Sequence, residues 1–153
     1  MAELIFQLMN NTILFSALFA WFLAQVLKTL FDFISSKEFS LERMFGSGGM
    51  PSSHTALVVG MTTAIAMREG ADSTLFAIAF VFSSVVMYDA AGIRRAAGSH
   101  ARVLNQIIKE LKVNHTVHQI TLKELLGHTP IEVLVGGLLG FTTAYVFCKM
   151  MFI

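Results

Sequence analysis

The stretch from Ile13 to Ile34 constrains this chain more than any other, because its 22 residues include only two charges, Lys28 and Asp32. Wound as an α-helix it is about 33 Å long, and a bilayer's hydrocarbon core is about 30 Å thick. A helix satisfies its own backbone N–H and C=O groups, as hydrocarbon requires. The stretch is therefore expected to cross a membrane, and Val133 to Ile153 reads as a second span. Between them, Thr55–Met67 and Leu75–Tyr88 are apolar runs of 13 and 14 residues. Each makes about 20 Å of helix, short for a span unless it extends into its flanks, tilts, or sits where a bundle thins the bilayer. Composition points the same way: 55% of the 153 residues are hydrophobic and 14% charged, against about 25% charged in soluble domains. The expected fold is all-α, a polytopic membrane bundle of about four membrane helices plus an interfacial amphipathic helix, with residues 1–153 as one domain. Glu3 is the only early charge, so no basic region marks a signal peptide.

Other classes are disfavoured. The net charge is +1, and no dense Lys/Arg stripe alternates with aromatics, so nucleic acid is not an expected partner. Cys148 is the only cysteine, which rules out an intrachain disulfide or a cysteine-based zinc site and suggests a small core residue. His115 and His118 lie three apart with no carboxylate or cysteine close in sequence, and no metal or other cofactor is expected.

Basic residues suggest an orientation. Arg94, Arg95, Arg102, Lys109, Lys112 and Lys123 fall between the third and fourth apolar runs, and Lys37 and Arg43 follow the first. The loop after the second has only Arg68, with Glu69 and Asp72. The positive-inside rule then puts the first and third loops on the cytoplasmic face and both termini outside. Two loops distant in sequence could so build one site. Within the third loop, Val103/Leu104, Ile107/Ile108 and Leu111 recur at helical spacing from Arg102 to Lys112, predicting an amphipathic helix at the interface. Asn114 to His118 reads as a polar connector, and Thr121–Leu126 as a further short helix.

Three clusters carry possible chemistry. In the first, GSGGMPSSHTA (Gly46–Ala56), Gly46, Gly48 and Gly49 allow unusual backbone and Pro51 suits a first helical turn. Ser52, Ser53 and His54 would then occupy a helix N-terminus, where N–H groups attract anions. The stretch reads either as a phosphate cradle with His54 as proton donor or as a capped helix with a flexible lead-in. In the second cluster, Tyr88 to Arg95, Arg94 and Arg95 offer planar donor forks suited to phosphate, or simply mark a membrane boundary, and Asp89 can pair with one of them. Lys28, inside the first span, either snorkels or pairs with Asp32 at i+4, or serves a site. In the third, Gly127 to Val133, His128 and Glu132 lie four apart and share a helical face. The pair reads as a carboxylate-oriented imidazole or as a polar helix start around Pro130. Gly136 and Gly140 have the spacing of close helix packing.

PSSH at 51–54, YDAAGIRRAAG at 88–98, and GHTPIEV followed by GGLLG at 127–140 together resemble the divergent branch of the type 2 phosphatidic acid phosphatase (PAP2) family, over about Lys28 to Gly140. In that family a lysine and arginines hold phosphate, a histidine acts as general acid, and a second histidine attacks phosphorus through a metal-free phosphohistidine. The resemblance implies Lys28, Gly49, Ser52, Ser53, Arg94 and Arg95 as the phosphate-binding set, His54 as the acid, and His128 with Glu132 as the nucleophile and its partner. The pattern departs from the family's in four ways. Ser53 stands for a glycine and Glu132 for an aspartate. The first motif's Arg-Pro is absent, leaving Arg43 as a distant substitute, and four spans replace six, which a homodimer would offset. Arg94 to His100 has the family's arginine-to-nucleophile spacing, making His100 the alternative nucleophile, but no acid follows it at i+4.

By resemblance the activity is hydrolysis of a lipid phosphomonoester or diphosphate such as phosphatidate, phosphatidylglycerol phosphate or a polyprenyl diphosphate, in a bacterial cytoplasmic membrane with the site on its cytoplasmic face. Lipid phosphate and membrane lipids are then the partners. The rival is a lipid-phosphate binder or transporter without chemistry.

Overall fold

The fold is known from a computed structural model, described here for residues 1–37, 49–112 and 127–151. Six helices are described: α1 (Ala2–Met9), α2 (Thr12–Ser36), α3 (Ser53–Glu69), α4 (Thr74–Ala91), α5 (Ile93–Lys112) and α6 (Pro130–Met151). No strand occurs among the described residues. The fold is all-helical, as the apolar runs predict.

Side chains set the helix limits. Asn11 caps α2 by accepting the Leu14 N–H at 3.0 Å, and Lys37 ends it in the left-handed region at φ 55°. Ser73 caps α4 through the Phe76 N–H at 3.1 Å. α6 opens with a capping box, in which the Glu132 N–H donates to Thr129 Oγ1 and the Thr129 N–H donates to Glu132 Oε2. Pro130 takes the first helical position, where its missing N–H costs nothing. Pro51, by contrast, is not in the first turn of α3. It precedes the N-cap Ser52 in a cis peptide bond, and the helix starts at Ser53.

α3 is the hub, packed against α6, α2 and α4. It is buried nearly all round, whereas each neighbour buries one stripe. On α2 that stripe is Ser16/Ala17, Ala20, Ala24 and Lys28; on α6 it is Val133, Gly136, Gly140, Thr143/Ala144 and Cys148. The stripes are small because apolar surroundings give no hydrophobic drive for helices to associate, so close van der Waals contact must hold them together. A β-carbon at Gly136 would fall on the backbone carbonyl of Ser52, and one at Gly60 would lie 3.0 Å from Ala20 Cβ. The large side chains point outward instead, among them Phe22, Leu30, Ile78, Phe82 and Leu138.

α2, α4 with its continuation into α5, and α6 are long and apolar enough to cross a membrane. The expected count of four differs at α3, whose 17 residues make about 25 Å of helix. Shielded by three longer helices, α3 has little lipid contact and need not match the bilayer's thickness. α5 starts earlier than its periodicity suggests, at Ile93 rather than Arg102, so only Gly92 separates it from α4. Cys148 is buried beside Ser16, as expected of a core thiol. The short helix α1 has no counterpart in the sequence reading and buries nothing. The polar connector at Asn114–His118, the turn at 121–126, and Arg43, Gly46 and Gly48 lie outside the described residues.

Candidate functional site

Antiparallel packing brings the C-terminal ends of α2 and α4 to the same end of the bundle as the N-terminal ends of α3 and α6. Two long-range backbone bonds fix this end: the Ser52 N–H donates to the Glu132 carbonyl, and the His128 N–H to the Ala90 carbonyl, each at 3.1 Å. Gly49 at φ 84° lies over Lys28, whose Cε would be 3.2 Å from a β-carbon there. Segments separated by up to about 100 positions in sequence therefore meet, namely those of Lys28, Gly49, Ser52, the end of α4, and His128 with Glu132.

His128 is buried, and its Nδ1 lies 3.0 Å from Glu132 Oε2. An ionised carboxylate only accepts hydrogen bonds, so Nδ1 is the donor in this pair and Nε2 is the ring nitrogen left outside it. The same Oε2 accepts the Thr129 N–H at 3.1 Å. The capping box thus holds the carboxylate, and the carboxylate holds the imidazole. Sequence reading overlooked Thr129, although T-x-x-E before an apolar run is a capping signature.

Ser52 is fully buried and its Oγ accepts from Thr55 N–H at 3.4 Å and from Thr55 Oγ1 at 3.0 Å. Its oxygen therefore caps α3, as the plainer of the two readings expected. Ser53 is buried beside it, and His54 is exposed at the second helical position. Lys28 is buried and feels the charges of both Asp32 and Glu132. One ammonium facing two carboxylates does not make an anion site, so an anion held here needs further cations. The backbones of Arg94 and Arg95 lie in the first turn of α5, just beyond the Ala90 carbonyl that holds His128. His100 is exposed on α5, whose main contacts are with α4, and no described bond ties it to this end. No group of three or more metal-ligating side chains forms among the described residues.

The Divergent PAP2 family matches residues 9–143. The chain is also 41% identical over 145 residues to "Uncharacterized membrane protein YuiD" of Bacillus subtilis (strain 168), covering 88% of this chain and 92% of that protein. No solved structure matches it. With a match that takes in every motif at the shared end of the bundle and a membrane protein as relative, the chain belongs to the Divergent PAP2 family.

Proposed function

We propose that this membrane protein is a metal-independent phosphatase acting on a lipid phosphomonoester or diphosphate. The observation that carries the reading is the His128–Glu132 pair at 3.0 Å, at the bundle end where Lys28, the α3 N-terminus and the start of α5 come together. His128 Nε2 attacks phosphorus in line. The phosphorus–oxygen bond to the lipid breaks, and His54 protonates the departing oxygen. Water then attacks the phosphohistidine and releases phosphate, with Glu132 stabilising the imidazolium while the bond to nitrogen persists. Lys28, Arg94 and Arg95 neutralise the phosphoryl oxygens, and Gly49, Ser52 and Ser53 shape the cradle at the α3 N-terminus. His128 is the nucleophile rather than His100 because it alone has a carboxylate on Nδ1. The basic residues of the flanking loops favour a cytoplasmic orientation for the site.

Phosphate release from phosphatidate, phosphatidylglycerol phosphate and a polyprenyl diphosphate by purified wild type, His54→Ala and His128→Ala tests the proposal. Wild-type release lost in both variants is expected. Release that persists in both refutes the assignments, and lipid binding without release by wild type supports a binder or transporter instead.

A further inference from the structure

Between α4 and α6, which touch each other little, the outer face of α3 forms the floor of a cavity of about 510 Å³. Val59 and Met67 mark its extent on α3, Phe76 and Met87 on α4, and Phe141 and Tyr145 line it from α6. No described segment covers it. We infer that this groove holds one hydrocarbon chain of the lipid whose phosphate occupies the site. The inference rests on the proposed site as the headgroup's position.

Three observations select that occupant. The first is continuity. Met87 lies one helical turn before Ala90, whose carbonyl holds the His128 N–H. Met87, Thr55 and Val59 also meet at Gly137, where a β-carbon would touch all three. The head end of the groove is thus the edge of the candidate site. The second is length. From Phe76 to Met87 the groove follows about 16 Å of helix, about the depth of one leaflet of a hydrocarbon core about 30 Å thick. A single extended hydrocarbon chain of one leaflet matches that length.

The third is polarity. Of the five hydroxyls that line the groove, the four of serine and threonine are already bonded within the chain, and the fifth is the phenol of Tyr145 on α6. Thr62 and Ser83 are 2.7 Å apart and bond the Val58 and Ala79 carbonyls, Thr63 donates to the Val59 carbonyl, and Ser84 donates to the Phe80 carbonyl. The floor on α3 and the wall on α4 therefore ask no hydrogen bond of an occupant, as suits a hydrocarbon more than a polar ligand. Substrate would enter sideways from the bilayer, its tail leading the phosphate to His128.

The test uses the full chain in phosphatidylcholine vesicles containing phosphatidate with a photoactivatable diazirine near the end of one acyl chain. Irradiation is expected to label Met67, Phe76 or Phe80 above the outward-facing Phe22 and Ile78. Ala66→Trp, which fills the groove from its floor, and Ser84→Trp, at an exposed wall position, should each cut groove labelling about tenfold, since denying a pocket even one methylene costs about that much. Both should raise KM for long-chain phosphatidate and leave hydrolysis of water-soluble glycerol phosphate unchanged. Even labelling of groove and outer faces overturns the inference, as does a disulfide joining two Ser84→Cys copies in a Cys148→Ser background. Labelling needs no turnover, so the two readings fail separately. Groove labelling without phosphate release removes the phosphatase and keeps the groove, and release with even labelling does the reverse.

Discussion

His128 takes its proposed chemistry from a chain of single contacts, each breakable alone. Glu132→Gln keeps the shape and removes the charge that would stabilise an imidazolium. It should lower kcat by about 10²–10⁴-fold with KM little changed, in steady-state assays of phosphate release. Thr129→Ala removes the hydroxyl that accepts the Glu132 N–H and so steadies the turn from which that carboxylate projects, while keeping the backbone N–H that bonds the carboxylate itself. It should lower thermal stability by about 1 kcal/mol and reduce kcat, and Thr129→Ser should restore both. A pure stability effect, with kcat intact in the folded fraction, would separate the cap from the chemistry. Gly49 works differently, because its φ of 84° and its contact with Lys28 both disfavour a side chain. Gly49→Ala should weaken lipid-phosphate binding with the bundle still folded, read by a binding titration beside a melting curve.

The helices are held chiefly by close approach, and only secondarily by hydrogen bonds. Gly136→Ala tests the first, placing a methyl group against the Ser52 carbonyl, a backbone atom that cannot swing aside. Overpacking of this kind costs about 1–3 kcal/mol, more than the about 1 kcal/mol that alanine adds in helix propensity. Thr62→Val tests the second, cutting the bonds from Thr62 to Ser83 and the Ala79 carbonyl. Hydrogen bonds between membrane helices average about 0.6 kcal/mol. Gly136→Ala should therefore lower the unfolding midpoint in detergent more than Thr62→Val, and the reverse order would mean that the polar tie governs the bundle.

For the molecule as a whole, the telling property is which segments share an end. Met50 and Ser99 are both exposed, the first before α3 and the second on α5. Met50→Cys and Ser99→Cys, each in a Cys148→Ser background, should react with a membrane-impermeant thiol reagent from the same side of the bilayer. The proposed orientation predicts labelling from the cytoplasmic side. Labelling from opposite sides would break the shared end and the proposed site with it.

Much of this was open to inspection in the primary structure, since a helix's identity depends on runs and caps that are local. The two long apolar runs, the His128–Glu132 pairing at i+4, the Gly136/Gly140 seam and the amphipathic α5 could all be read that way. α3 could not. Its run looks like one more span, and only packing against three neighbours makes it a core helix that need not match the bilayer. Nor could the chain alone show that Ser52 bonds the Glu132 carbonyl, that Ala90 holds His128, or that α4 and α6 part to leave a groove. The two bonds depend on residues tens of positions apart being brought within about 3 Å, the groove depends on two helices being held apart by a third, and only close packing of complete helices determines such distances.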